Sequence, residues 1–72
     1  MEFKWIEINP EICGGKPVIK GTRIPVKIIL ELFANGWDIE EIKEEYELTE
    51  EQIKEAIEFT SQLLERVRVA KL

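Results

Sequence analysis

The residues most suited to binding chemistry are four cations that follow one another without an intervening acid. From Lys16 to Lys27 the sequence holds four basic residues and no acidic one, although the chain has a net charge of −5. An arginine binds carboxylate or phosphate through two parallel hydrogen bonds, and a lysine acts as a point charge. This stretch, which we call the basic strip, predicts a receptor for an anionic partner or DNA. Its candidate binding residues are Lys16, Lys20, Thr22, Arg23 and Lys27.

The backbone of the basic strip is restricted by prolines and glycines. Pro17 and Pro25 hold φ near −65°, and Gly21 permits the positive φ of a tight turn. A rigid loop loses little conformational entropy when it binds. The candidate structural residues are Gly14, Gly15, Pro17, Gly21, Pro25 and Gly36. An alternative remains open, in which the strip is a solvated hairpin whose lysines keep a strand edge from pairing.

Residue types that support catalysis are scarce. The chain has no histidine, which removes the commonest general base and the commonest metal ligand. Cys13 is the single cysteine and has no evident activating base. The Gly-Gly-Lys fragment lacks the spacing of a phosphate-binding loop, and Pro17 stands where a helix should start. The recurring glutamates are best explained as a solvated helix face. We therefore predict no enzymatic activity, no metal, no cofactor and no small-molecule substrate.

Length and composition predict one small domain over residues 1–72. A chain of this size buries only about 60% of its unfolded surface, so we expect a homodimer or a partner chain to enlarge the core. A lone cysteine and no long apolar run indicate a cytoplasmic protein without a membrane segment. The abundance of glutamate, lysine and isoleucine is typical of a thermophile.

Two segments are expected, a β-rich basic part over residues 1–25 and a three-helix bundle over residues 26–72. The pattern at Phe3–Ile8 predicts a strand, with Trp5 or Ile6 and Ile8 available to a buried face. A small hairpin is expected around Lys20-Gly21-Thr22. Trp5 suits either the core or a dimer seam, whereas Trp37 is expected to pack across the first two helices.

Three helices follow from spacing and capping signals. The first starts at or just after Pro25, carries an apolar stripe that includes Val26 and Ile29, and stops at Asn35-Gly36. The second opens at Asp38 and the third at Thr49, each with a capping-box residue three positions later. The third helix is expected to run to about Arg68.

The short break between the second and third helices predicts a helix-turn-helix outline. In that motif the start of the last helix enters the DNA major groove. Here that start carries Glu50, Glu51 and Glu55 against Lys54, and carboxylates repel phosphates. The charges therefore argue against a recognition helix, and any nucleic-acid contact is expected from the basic strip.

The run I-C-G-G-K-P-V-I-K-G-T-R-I-P-V, with the later G, Y and L-T-x-E-Q-I positions, resembles domain-of-unknown-function family 433 from about Ile6 to Phe59. Members resemble small winged or homeodomain-like helix-turn-helix proteins, and some are similar to VapB-type antitoxins encoded beside a PIN-like ribonuclease toxin. The resemblance implies no enzyme activity. Its motif falls on Gly14, Gly15, Lys16, Pro17, Gly21, Thr22, Arg23, Pro25, Gly36, Tyr46 and Leu48.

The basic strip and the family resemblance together predict an antitoxin-like module that binds and silences a PIN-like ribonuclease. The active site of a PIN-type ribonuclease consists of acidic residues around a metal. The tail from Leu63 to Leu72 is a second candidate contact for that partner. One rival hypothesis is an operator-binding regulator that uses the same cations. Another is a structural dimer without a switchable partner.

Overall fold

The computed structural model describes residues 3–66, and its elements run in the order strand, 3₁₀ turn, strand and three helices. The strands are β1 (Ile6–Glu7) and β2 (Val18–Ile19), and the 3₁₀ turn is Cys13–Gly15. The helices are α1 (Val26–Ala34), α2 (Ile39–Tyr46) and α3 (Glu50–Glu65). The predicted class, mainly α with three helices after a short β element, is confirmed.

Helix α1 begins after Pro25 and ends in the glycine stop that the sequence predicts. The Gly36 N–H donates to the Phe33 carbonyl, and the Trp37 N–H donates to the Leu32 carbonyl, both at 3.0 Å. This pair of bonds is a Schellman motif, which needs a left-handed residue after the helix, and Gly36 has φ +92°. The motif turns the chain so that Trp37 packs on the core, with its ring 6.2 Å from that of Tyr46. The prediction for Trp37 is thus confirmed.

Helices α2 and α3 each start with a complete capping box. The Asp38 carboxylate accepts from the Glu41 N–H at 2.9 Å, and the Glu41 carboxylate accepts from the Asp38 N–H at 2.8 Å. Thr49 and Gln52 exchange the equivalent bonds at 3.1 and 2.8 Å. Between the two helices, Glu47 adopts a left-handed conformation with φ +55°. The short break predicted between these helices is therefore present, over residues 47–49.

The two strands pair antiparallel, with Ile6 opposite Ile19 and Glu7 opposite Val18. The strand predicted over Phe3–Ile8 is shorter than expected, because only Ile6 and Glu7 face a partner strand. The expectation that Ile8 is available to a buried face is wrong. Its side chain is 60% exposed because the chain turns away at Asn9-Pro10, whereas Ile6 packs on the core.

The core lies where the three helices meet β2. Its largest fully buried side chains are Val18, Ile19, Ile29, Ile42 and Ile53. Within the described residues, helix α3 ends at Glu65, with Arg66 as its cap. Leu63 and Leu64 in its last turn are 50% and 63% exposed. The predicted end at about Arg68 lies outside the described part of the chain.

Candidate partner-binding site

The basic strip folds as a tight hairpin that closes onto the start of α1. Val18 bridges Pro25 in antiparallel fashion, and the Ile19 N–H donates to the Ile24 carbonyl at 2.9 Å. At the first residue of α1, the Val26 N–H donates to the Pro17 carbonyl, also at 2.9 Å. Pro17 and Pro25 have no backbone N–H, and each occupies a position of the hairpin that needs no hydrogen-bond donor. The hairpin is therefore fixed at both ends by backbone bonds.

The turn of the hairpin is held by Gly21 and Thr22. The Thr22 N–H donates to the Ile19 carbonyl at 3.0 Å, and Gly21 between them has φ +84°. This arrangement matches a type II turn, whose third position requires a positive φ. The Thr22 hydroxyl donates to the Ile19 carbonyl at 2.7 Å and accepts from the Ile24 N–H at 3.0 Å. Both functions of the hydroxyl are used inside the hairpin, so we assign Thr22 to the turn rather than to the binding surface.

The four cations of the strip fall into two pairs, one at each end of the hairpin. Lys20 is the second residue of the turn and Arg23 directly follows the turn, so both lie between the bonded residues Ile19 and Ile24. Lys16 and Lys27 stand one residue beyond the bonded pair Pro17 and Val26, and they line the same groove. Each end of the hairpin therefore carries two positively charged residues.

All four cationic side chains are exposed, and three have no acidic neighbour in the described chain. Lys27 lies 3.7 Å from the Glu31 carboxylate, one helical turn along α1. Within residues 3–66, no carboxylate lies within 4.0 Å of the amino groups of Lys16 and Lys20 or of the Arg23 guanidinium. These three charges are thus available to a partner.

An apolar groove of about 210 Å³ runs beside the hairpin between the start of α1 and the second half of α3. It is lined by Lys16, Pro17, Pro25, Val26, Lys27, Leu30, Phe59, Thr60 and Leu63. The Thr60 hydroxyl donates back to the Ala56 carbonyl at 3.0 Å, so it adds little polarity to the groove. The basic strip therefore places two lysines beside an apolar surface. The sequence alone does not predict this combination.

The loop before the hairpin is built from left-handed residues. Cys13, Gly14 and Gly15 have φ of +51°, +66° and +86°. The Cys13 thiol lies 3.5 Å from the Arg23 carbonyl and donates to it, which ties this loop to the turn side of the hairpin. Cys13 is half-buried, and no acid–base partner accompanies it in residues 3–66. Its contact is a structural one.

The acidic residues form a separate face on α2 and α3. Lys43 lies 3.5 Å from Glu40 and 3.9 Å from Glu50, and Lys54 lies 2.9 Å from Glu50. The hydrogen bond and charge of Lys54 hold the pKa of Glu50 below its usual value of 4.5. The start of α3 is therefore a charged carboxylate surface, and phosphates would be repelled there.

One of these glutamates departs from the predicted solvated face. Glu55 is half-buried, and its carboxylate accepts a hydrogen bond from the backbone N–H of Trp5. Phe3 packs edge-on against Phe59 with ring centres 5.4 Å apart. These contacts attach the N-terminal segment to α3. They join residues about fifty positions apart, and no local spacing in the sequence signals them.

Two further observations bear on function. Within residues 3–66, no helix combines the length and apolar character needed to cross a bilayer. In the same range, no three carboxylate or thiolate groups lie close enough together to hold a metal ion.

The fold and the basic strip together define the class of protein. It is a small helix-turn-helix domain with a separate basic hairpin. A family model described as "Protein of unknown function (DUF433)" matches residues 6–60, and the chain belongs to that family. Among solved structures, it is similar to a DUF433 member protein from Anabaena variabilis ATCC 29413, with 33% identity and a TM-score of 0.79. The match covers 86% of this chain and 62% of that protein, so the chain spans about three fifths of its length. No curated protein matches the chain.

Proposed function

We propose that the protein is an antitoxin-like interaction module that binds and neutralises a PIN-like ribonuclease. The observation that carries this proposal is the availability of Lys16, Lys20 and Arg23, which have no carboxylate partner within residues 3–66. The lysines of the acidic face, by contrast, are engaged with neighbouring glutamates. Three of the cations without a carboxylate partner in residues 3–66 therefore lie on this one hairpin, and Lys4 and Arg66 are the other two.

The chemistry of such a partner follows from the cations. A nuclease that holds metal ions with carboxylates presents a dense negative surface. Arg23 can bind one carboxylate through two hydrogen bonds, while Lys16 and Lys20 add point charges. Because the hairpin is fixed by its turn and by the bonds to Pro17 and Ile24, little ordering accompanies binding. Binding at the carboxylates would block access of RNA to the metal.

The test is coexpression of the chain with the product of the neighbouring open reading frame. We expect a stable complex and loss of the neighbour's ribonuclease activity. The double variant Lys20→Ala/Arg23→Ala should weaken the complex by about tenfold or more, since charged hydrogen bonds contribute roughly 1.5–3 kcal/mol each.

The matched control is Lys4→Ala/Lys43→Ala, which removes two cations outside the strip. Both double variants move the net charge from −5 to −7. If net charge alone governs association, the two variants will weaken the complex equally and the proposal is wrong. It is equally wrong if the neighbour's nuclease activity is unaffected by saturating amounts of the native chain.

DNA binding by the same hairpin is the second candidate function. It is favoured by the closeness of Lys20 and Arg23 at the turn, where both can reach one phosphate backbone. It predicts affinity for duplex DNA that falls steeply with salt, because each neutralised phosphate releases counterions. Titration of the protein with duplex DNA at low salt tests this candidate function. Binding lost in Lys20→Ala/Arg23→Ala would support this candidate, and no binding at low salt would exclude it.

A further inference from the structure

One glutamate of the acidic run differs from the others in its surroundings. Residues 38–58 hold ten acidic residues, and Glu55 is half-buried whereas the other nine are exposed. No lysine or arginine nitrogen of residues 3–66 lies within 4.0 Å of the Glu55 carboxylate. Its polar partner in that range is instead the backbone N–H of Trp5. A hydrogen bond with one ionised partner is roughly twice as strong as a neutral one.

Trp5 also contacts the basic strip through its other backbone group. The Trp5 carbonyl accepts from the Lys20 N–H at 2.7 Å. The next residue, Ile6, pairs with Ile19 of the hairpin. Trp5 therefore joins α3 to the turn of the hairpin, because its N–H is bound to Glu55 and its carbonyl to Lys20.

The backbone of Lys20 is held from outside the hairpin. The bonds within the hairpin use other N–H groups, those of Ile19, Thr22, Ile24 and Val26. The Lys20 N–H donates away from them, to Trp5 in the N-terminal segment. The position of Lys20 relative to the helices therefore depends on where the Trp5 peptide lies.

We infer that Glu55 is a positioning residue for the basic strip and that it acts on Lys20 through Trp5. The inference rests on the proposed function, since Lys20 is one of the cations proposed to bind the ribonuclease. The carboxylate holds the Trp5 peptide on α3, and that peptide holds the Lys20 N–H at the turn. An acidic residue thereby supports binding to an acidic partner, although its charge alone would oppose that binding.

Amide hydrogen exchange of the full-length chain, followed by NMR, tests the positioning without any partner. In Glu55→Ala the Lys20 N–H should exchange about tenfold faster, because the carbonyl that accepts from it has lost its own attachment to α3. The Val26 N–H, which donates to Pro17 within the hairpin, should keep its native rate and controls for global destabilisation. Glu55→Gln retains an acceptor oxygen at the same side-chain length and should restore most of the protection.

Affinity for the ribonuclease encoded by the neighbouring open reading frame is the second measurement. Glu55→Ala should weaken the complex about fivefold, since it releases the backbone of one binding cation. The matched control is Glu51→Ala, an exposed residue one turn earlier on α3, which should not weaken the complex. Both variants move the net charge from −5 to −4, so an effect of net charge would be equal in both. Adding Glu55→Ala to Lys20→Ala should weaken the complex no further, because the two residues act as one unit.

Three results would overturn the inference. They are equal changes in exchange at Lys20 and Val26 in Glu55→Ala, equally fast exchange of Lys20 in Glu55→Gln and Glu55→Ala, and additive losses of affinity in the double variant with Lys20→Ala. Circular dichroism establishes that the variants remain folded. Should Glu55→Ala unfold the chain, Glu55→Asp withdraws the carboxylate by one carbon and should give the same pattern of exchange. A native chain that binds no ribonuclease removes the proposed function, while the exchange rates still decide whether Glu55 positions Lys20.

Discussion

At the scale of single residues, the conformation of the hairpin depends on the hydroxyl of Thr22. Because Thr22 lies among cations in the sequence, its hydroxyl could be expected to bind an anion. The fold instead uses the hydroxyl twice, toward Ile19 and Ile24. The proposed binding residues of the strip are thus its cations, and Thr22 holds the turn beside Lys20 and Arg23.

This role predicts the effect of removing the hydroxyl. Thr22→Val preserves the shape of the side chain but leaves the Ile24 N–H without its acceptor, because the hydroxyl is the acceptor for that group. An unsatisfied backbone group costs about 1–3 kcal/mol. Urea unfolding should show a loss of that size. Thr22→Ser keeps the oxygen and should lose much less, and equal losses for the two variants would contradict this role.

The contact between Glu50 and Lys54 predicts a pH effect with a definite sign. Lys54 lowers the pKa of Glu50 in the folded state below 4.5. The contact therefore stabilises the fold at pH values above that ordinary pKa. The contribution is lost as the pH falls through the lowered value.

The measurement is an NMR titration of the Glu50 side-chain carboxyl. In Lys54→Gln this pKa should rise toward 4.5, since the hydrogen bond and the charge are both removed. Lys27→Gln removes a cation that lies beside Glu31, far along the chain, and should leave the Glu50 pKa unchanged. A rise of the same size in both variants would mean that net charge, not the local contact, sets the pKa.

At the scale of elements, local signals predicted helix boundaries well because caps act over three or four residues. The Asp38 and Thr49 boxes and the Gly36 stop lie where the sequence places them. The register of β1 against β2 and the Glu55–Trp5 contact join distant segments, so no short pattern carries them. Likewise, the cations of the strip could be named from sequence, but the groove shared by Lys16 and Lys27 requires the packing of α1 against α3.

The end of α2 offers a test of backbone strain. Glu47 has φ +55°, a left-handed conformation that costs a residue with a side chain about 1–2 kcal/mol. Glu47→Gly should therefore raise the free energy of unfolding, by about 0.5–1 kcal/mol after the greater freedom of glycine in the unfolded chain is counted.

The control for that variant is Glu45→Gly, an exposed glutamate within the same helix. It should lower the free energy of unfolding by about 1 kcal/mol, because glycine disfavours helical backbone. Urea unfolding of both variants separates the two effects, which have opposite signs. A destabilised Glu47→Gly variant would show that the left-handed turn is not strained in solution.

At the scale of the whole molecule, the protein keeps its charges apart. The strip from Lys16 to Lys27 holds four cations and no acid, whereas residues 38–58 hold ten acids and two lysines. In the described residues, Lys43 and Lys54 contact only Glu40 and Glu50 on that face. The remaining carboxylates repel one another, and this repulsion opposes folding. The same separation leaves a positive surface on a protein of negative net charge.

Added salt should therefore stabilise the fold, because it screens repulsion between exposed charges. We expect the thermal midpoint to rise as sodium chloride increases. Glu44→Lys, an exposed change within the acidic run, should flatten that rise by relieving the local repulsion. Glu11→Lys is the control, since it also moves the net charge from −5 to −3 but lies outside the run. If both variants flatten the salt dependence of the midpoint equally, net charge governs stability. If salt instead lowers the midpoint of the native chain, attraction within its ion pairs outweighs the repulsion, and the charge separation does not oppose folding.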